Sequence, residues 1–326
     1  MIITRTPLRI SIGGGGTDLP SYYESFGGFV ISAAINKHIY ITVNRTFRPG
    51  YLLKYAHTEH VQSIDEIDHG LLRETLRLME IEPMVETVSI ADVPAGTGMG
   101  SSGSFTVGLL HALTAYKRET IETEELAQTA NNIEMSILGE PCGKQDHYIA
   151  AYGGLTCQEY HADGSVSVSP LKVSDATLKS LSENLVLFFT GYSRAAAEIL
   201  DDQKKKSEQG DTGMLDNLHF IKDLGFRIKD KLEDGDVTGF AELMNEHWEH
   251  KKTRSTNMSN DHVNDLYDLA MQNGALGGKL VGAGSGGFLL FYAPDKAKLR
   301  EVMTAEGMQE MDFDFDFDGS IVLLRQ

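Results

Sequence analysis

Little in this chain points toward nucleic acid, a membrane or an oxidising compartment. Lysine and arginine are scarce, 29 against 47 aspartates and glutamates, so the formal net charge over 326 residues is −18. That balance opposes non-specific attachment to nucleic acid or to an anionic membrane. Only two cysteines occur, Cys142 and Cys157, without the spacing of a metal site or a disulfide framework. No apolar run approaches membrane-spanning length, and Met1 to Ile12 lacks the apolar stretch of a secretory signal. These absences lead to the expectation of a cytoplasmic enzyme or regulator. What remains, 41% apolar and 23% charged residues, suits a folded protein long enough for two domains.

Glycine, by contrast, is concentrated where chemistry can use it. The stretch Pro94-Ala95-Gly96-Thr97-Gly98-Met99-Gly100-Ser101-Ser102-Gly103-Ser104 comes after an alternating segment, Thr87 to Ala91, that reads as a strand. Beyond it, Phe105, Leu109, Leu113 and Tyr116 recur at helical spacing. A strand therefore feeds a glycine turn that opens a helix. This aims backbone N–H groups and the positive helix end at one point, an anion site. Gly98-x-Gly100-x-x-Gly103 matches the dinucleotide fingerprint, but it lies far from a first βαβ unit. A second helical pattern succeeds its helix where a strand with a ribose-binding acid would be needed. A Walker loop is excluded because no Gly-Lys-Ser/Thr closes the stretch. A loop without Lys or Arg, in an acidic chain, calls for a divalent cation beside the phosphate.

Two further glycine clusters stand near the ends of the chain. Ile2 to Ile12 reads as a strand with outward Arg5 and Arg9, ending in Gly13-Gly14-Gly15-Gly16-Thr17-Asp18, where something approaches the backbone closely. A short helix at Leu19 to Tyr23 is predicted next, with Asp18 as N-cap, as a sugar ligand, or as both. Phe29 to Ile35 and Ile39 to Val43 read as paired strands around Asn36-Lys37. Toward the other end, Gly277 to Phe291 joins two apolar runs through a glycine loop. Its Gly282-x-Gly284-x-x-Gly287 leads into a strand, so it reads as a hairpin-like turn without dinucleotide meaning.

Four charged residues stand out as candidates for chemistry. Glu134 sits at the edge of the apolar stripe Leu126, Ala130, Ile133 and Ile137 with no basic partner at helical spacing, so a surface ion pair along the helix does not explain it. Asp146 has only Cys142, Gly143, Ile149 and Ala150 as neighbours three and four residues away, which invites a raised pKa or a distant cation. Arg9 is the cation that suggests itself, and Asp18 the fourth candidate. Phosphoryl transfer needs a phosphate cradle, metal ligands, a cation against developing charge and a group to orient the attacking hydroxyl. Other features read as structural. Asp312 to Asp318 alternates with phenylalanine as a strand with carboxylates in water, Lys204-Lys205-Lys206 is a solvated helix face within the helical region 195–249, and His247 and His250 belong to a helix surface.

Three segments in order resemble the signatures of the GHMP sugar kinases: Pro7-Leu8-Arg9-Ile10-Ser11 with Gly16-Thr17-Asp18, Pro94 with Gly98 to Ser102, and Lys279 to Gly287. The stretch Gly143 to Gly154 resembles the heptose 7-phosphate kinase subgroup, with fucokinase-type enzymes next. The resemblance implies an α+β, two-domain fold: a ribosomal S5 domain 2-like half, residues 1–180, and a ferredoxin-like α/β half, residues 181–326. It implies ATP on the loop Pro94, Gly96, Gly98, Gly100, Ser101, Ser102, Gly103 and Ser104, and Mg²⁺ on Ser102 and Glu134. Asp146 and Arg9 would be catalytic. Gly15, Gly16, Thr17, Asp18 and Gly284 would meet the sugar, with Gly282 to Gly287 supporting the site. The expected reaction is transfer of the ATP γ-phosphoryl to the anomeric hydroxyl of D-glycero-D-manno-heptose 7-phosphate. An unphosphorylated hexose such as fucose, and a non-catalytic sugar and nucleotide sensor, are the alternatives; a homodimer is left open. A substrate already carrying a phosphate needs a basic subsite, for which Arg48, Lys251, Lys252 and Arg254 are candidates.

Overall fold

The computed structural model describes residues 1–191, 197–254, 258–282, 284 and 286–326. Ala283 and Ser285 of the second glycine loop, and the start of the helical region at 195 and 196, lie outside the described residues. The first half runs β1 (Ile2–Gly13), α1 (Pro20–Phe26), β2 (Gly28–Arg45), β3 (Tyr51–Lys54), β4 (Thr58–Val61), α2 (Gly70–Leu78), β5 (Val85–Ala91) and α3 (Ser101–Tyr116). It continues through α4 (Thr123–Asn132), a π turn at Ile133–Ile137, α5 (Gln145–Tyr152), β6 (Leu155–Tyr160) and β7 (Val166–Pro170). After α6 (Asp175–Asn184) come β8 (Leu185–Phe189), α7 (Ala197–Glu208), α8 (Thr212–Glu233), α9 (Val237–Lys252) and α10 (Asp261–Gln272). The chain ends with β9 (Gly277–Leu280), β10 (Phe288–Tyr292), α11 (Lys296–Ala305), β11 (Gln309–Met311) and β12 (Ile321–Arg325).

The first sheet has the order β12-β1-β2-β5-β3-β4, with β6 and β7 added beside β2. Along one edge β2 pairs with β1; along the other, its start pairs with β6 and its end with β5. The two strands expected around Asn36-Lys37 are thus one strand. Pro7 pairs with His38 and Leu8 with Ile35, so Asn36 and Lys37 are bulged residues that bend it, not a turn that reverses it. Helix α3 lies across β1 and β2, apolar and buried on almost every side, as a helix enclosed by sheet and by α4 and α5 must be.

The second sheet has the order β11-β8-β10-β9, antiparallel throughout, with helices between β8 and β9 and between β10 and β11 along the chain. This is the ferredoxin-like βαββαβ pattern. The fold is α+β, and its two sheets share one apolar core: Leu187, Ile228, Phe240 and Leu290 pack in the same cluster as Leu8, Ile10 and Leu109. Strand β12 leaves the second half and pairs with β1, so the chain's end returns to the first sheet across the boundary expected at 180 and 181. No helix among the described residues is long and apolar enough to cross a membrane.

Three local readings change. Residues 312–318 make only an isolated bridge, Ile35 to Phe315, where a full strand was expected. Phe317 is exposed and Asp316 turns inward, accepting from His38 Nε2 at 2.8 Å and from the backbone N–H groups of Asp318 and Gly319. The residue before α1 is Leu19, so Asp18 does not cap it. Arg9, expected to point outward, is 5% exposed. The hairpin at 280–289 and the lysine face of α7 stand as read, with Lys205 and Lys206 paired to Asp201 and Asp202 one turn earlier.

Candidate active site

One cavity of about 1190 Å³ opens between the two halves, and three glycine loops line it. The central loop leaves β5 and enters α3 through Gly96, Gly98 and Gly100, all at positive φ (77°, 80° and 73°). These values suit glycine, and they turn the chain so that the first N–H groups of α3 face the cavity. Pro94, Gly96, Gly98, Gly100, Ser101 and Ser102 line it. Gly103 and Ser104 do not. Gly103 lets α3 lie against α5, since a Cβ there would sit 2.8 Å from Asp146 Cβ. The Ser104 hydroxyl donates to Pro7 O at 2.7 Å and ties α3 to β1.

Arg9 and Asp146 meet beside that loop. Arg9 Nε donates to Asp146 Oδ1 at 2.7 Å, and its Nη1 donates to Gly98 O. One guanidinium therefore fixes a carboxylate from α5 against a carbonyl of the central loop. Asp146 keeps 23% of its side chain accessible and faces the cavity. A positioned carboxylate held by a buried cation can take a hydrogen bond from a substrate hydroxyl and orient it.

Glu134 stands on the π turn, a helix irregularity that recurs at functional sites. Its Oε2 lies 2.9 Å from His147 Nε2, and the Ser102 hydroxyl is near enough to favour the charged form of the same carboxylate. On the other side of the ring, Asn131 Nδ2 lies 3.3 Å from His147 Nδ1. Burial pushes the Glu134 pKa up, but His147, by hydrogen bond and charge, and Ser102 outweigh it and hold it below the ordinary value. A hydroxyl and a carboxylate side by side are hard oxygen donors of the kind Mg²⁺ takes, with phosphate oxygens completing the shell. No cluster of three acidic, histidine or cysteine side chains fit to hold a metal occurs among the described residues, so the protein alone offers only a partial shell.

Asp18 lines the same cavity, near Asp146. Its carboxylate accepts from the N–H of Gly16 at 2.9 Å and of Gln145 at 3.2 Å. Burial, and then the charge of Asp146, raise its pKa against these two bonds. Gly15 and Gly16 line the cavity with it, and so does Gly284. Thr17 does not: its hydroxyl is spent on Gly14 O and Phe29 O. Gly143, unassigned from sequence, is required here, because a Cβ would lie 1.9 Å from Asp18 Oδ2.

Other residues complete the lining, and two of them, Lys251 and Arg254, were already candidates for a basic subsite. Tyr55, His69 and Phe105 form an aromatic wall, with the rings of His69 and Phe105 stacked at 5.2 Å. His247, Lys251, Arg254 and Lys279 line the cavity too, and all four are buried. His247 is therefore not on a helix surface, and of the four basic candidates Lys251 and Arg254 reach the cavity while Arg48 and Lys252 do not. The signal was present: 247, 251 and 254 fall at i, i+4 and i+7, one helix face.

Residues 69–154 match the GHMP kinases N terminal domain and residues 228–307 the GHMP kinases C terminal domain. The chain is 30% identical, over 98% of its length and 97% of the relative's, to D-glycero-alpha-D-manno-heptose 7-phosphate kinase of Campylobacter jejuni subsp. jejuni serotype O:2. It superposes with a TM-score of 0.82, at 27% identity and 99% coverage of both chains, on a D-glycero-D-manno-heptose 1-phosphate kinase from Bacteroides thetaiotaomicron. A galactokinase of Lactococcus lactis shares the fold at a TM-score of 0.77 and 15% identity, covering 98% of this chain and 94% of its own. With both of the family's domains present in order, and a relative this similar along nearly its whole length, the chain belongs to the GHMP kinases.

Proposed function

We propose that this GHMP kinase transfers the γ-phosphoryl of ATP to the anomeric hydroxyl of D-glycero-D-manno-heptose 7-phosphate, giving the 1,7-bisphosphate. The observation that carries the reading is the Arg9–Asp146 pair, set in one cavity between the start of α3 and the Asp18 loop. The N–H groups at the start of α3 would receive the ATP phosphates, and the aromatic wall at Tyr55, His69 and Phe105 the nucleoside. Asp18 would bind sugar hydroxyls, and Asp146 would accept a hydrogen bond from the attacking one while Arg9 holds it in place. Ser102 and Glu134 would hold Mg²⁺, which when bound supplies positive charge to the phosphate oxygens. Catalysis of this kind is positioning and electrostatics, since the loose transition state needs little covalent help. Residues 1–180 with the returning β12 would carry the phosphate and catalytic groups, and the rest of 181–326 the cationic wall. A reaction with ATP as donor would suit the cytoplasm, where ATP is available.

Coupled ADP release over a panel of sugars and sugar phosphates tests this. Heptose 7-phosphate should exceed fucose, galactose and mannose by about 100-fold or more in kcat/KM, a margin a dedicated charge contact can supply. Phosphorus NMR of the product should show a new anomeric phosphate. Faster use of an unphosphorylated hexose, or transfer to another carbon, would overturn the reading.

A further inference from the structure

We infer that Arg254, flanked by Gln203 and Lys251, forms a subsite for a phosphomonoester: the phosphate that the acceptor sugar carries before the reaction. This rests on the reading above that the acceptor is a sugar phosphate. The part of the cavity lined by Lys251, Arg254 and Lys279 is cationic and short of counter-charge. Arg9 has Asp146, but among the described residues Lys251, Arg254 and Lys279 meet no carboxylate at ion-pair distance. Lys251 donates to the carbonyls of Leu280 and Gly282, and Lys279 to Ile12 O and toward His247 Nδ1. Arg254 donates to Asn217 Oδ1, Gly15 O and Gln203 Oε1 at 3.2 to 3.3 Å.

Neutral acceptors orient buried cations without neutralising them, and unpaired burial is costly. The strain shows in their titration: burial, then the neighbouring cations, push Lys251 down to about 7, and burial brings Arg254 to about 10 although Asp18 counteracts it. An anionic ligand would relieve that cost, so the cluster is built for bound anions.

Position separates two anions. Lys251 bonds to Gly282 O, and Gly282 packs against Gly98, so Lys251 stands behind the ATP phosphate loop. Arg254 does not. Its Nη1 lies where a Cβ on Gly16 would come within 2.5 Å, two residues from Asp18 and thus on the acceptor's wall. Gln203 fixes it there, donating to Gly16 O at 2.8 Å while its amide oxygen accepts from the guanidinium. Two of the Arg254 bonds converge on the single Gly15 oxygen at 3.3 Å, long enough to yield to shorter, charge-assisted bonds to phosphate. A guanidinium also matches phosphate in a forked geometry that an ammonium lacks.

The test compares heptose 7-phosphate with the unphosphorylated heptose in wild-type protein and in Arg254→Gln. Wild type should prefer the phosphorylated sugar; no preference would defeat the substrate reading itself. Given that preference, Arg254→Gln should raise KM for heptose 7-phosphate by about 30-fold or more, the loss of one charge-assisted contact. KM for ATP, and kcat/KM for the unphosphorylated sugar, should stay within about twofold, the scatter expected when no contact to them is lost. Arg254→Lys should recover part of the loss, and Lys252→Gln, outside the cavity, should behave as wild type. An equal loss on both sugars would assign Arg254 a structural role and sink the subsite alone. Should Arg254→Gln fail to fold, inorganic phosphate decides on wild-type enzyme. Competition against the sugar phosphate supports the subsite, and competition against ATP alone refutes it.

Discussion

Two loops in this chain share the pattern Gly-x-Gly-x-x-Gly, at 98–103 and at 282–287, and they do opposite things. The first opens α3 and turns its backbone toward the cavity. The second joins β9 to β10 and turns its backbone toward the first loop. A Cβ on Gly282 would lie 2.5 Å from Gly98 Cα, one on Gly98 would lie 2.8 Å from Val281 O, and one on Gly287 would lie 2.2 Å from Thr97 O. Glycine in both loops answers one demand, close approach to a backbone. In the first loop that backbone faces the cavity; in the second, Gly282 and Gly287 meet the first loop while Gly284 lines the cavity beside it. The element that each loop enters, a helix or a strand, decides between these uses.

If the first loop exists to present phosphate to the Arg9–Asp146 pair, the largest loss should come from that pair. Asp146→Asn should lower kcat by about 1000-fold or more while ATP affinity changes little, as expected when the group orienting the nucleophile goes. Single-turnover kinetics with ATP titration would separate the two, and normal turnover would show that the loop serves other residues. Next in size, Glu134→Gln and Ser102→Ala should each cost about 100-fold in kcat/KM at low Mg²⁺, the range for losing a metal ligand. High Mg²⁺ should restore part of it. A loss independent of Mg²⁺ would make their contact purely structural.

The bracing loop makes a smaller claim. Gly282 has φ of 80° and no room for a side chain, so Gly282→Ala must push the loops apart. The expected cost is about 1–3 kcal/mol of stability from strain and overpacking. ATP KM should rise about tenfold, a displacement effect on positioning, and KM for the sugar should rise less. An unchanged ATP KM alongside a lowered Tm would mean that the second loop supports the fold but not the phosphate site.

Much of this arrangement could be read in the chain because its signals are local. Glycines around Asp18, in the central loop and near Gly284 advertise backbone approach, and a strand before and a helix after gave the central loop its meaning. The features that stayed hidden depend on distant partners. Asn36-Lys37 looks like a turn, yet Asn36 exchanges bonds with Asp314, its N–H going to Asp314 O and its side-chain oxygen taking the Asp314 N–H, and the strand runs on through the bulge. Asp316 alternates like a solvated carboxylate but is claimed by His38, and Arg9 by Asp146, from segments far along the chain. Lys251 and Arg254 stood as candidates beside Arg48 and Lys252, and what separates them is burial by loops distant in sequence, at Leu280 to Gly282 and at Gly15. The division of roles between the halves was likewise blurred by β12, whose pairing with β1 no local pattern announces.

The finest form of the comparison lies within the first loop, between its two adjacent serines. Both line the cavity, but only the Ser102 hydroxyl acts on the Glu134 carboxylate, helping to hold its pKa down. Ser101 is the first residue of α3, where the backbone N–H is unpaired within the helix and free for a phosphate oxygen. Alanine keeps that N–H and removes only the hydroxyl. Ser101→Ala should therefore change ATP KM and kcat by about twofold at most, the effect of a solvent-exchangeable contact, against the far larger loss for Ser102→Ala. Steady-state kinetics of the two variants side by side checks it. Equal losses would mean that the loop binds through its side chains, and the contrast with the bracing loop, drawn on backbone geometry, would have to be redrawn on hydroxyls.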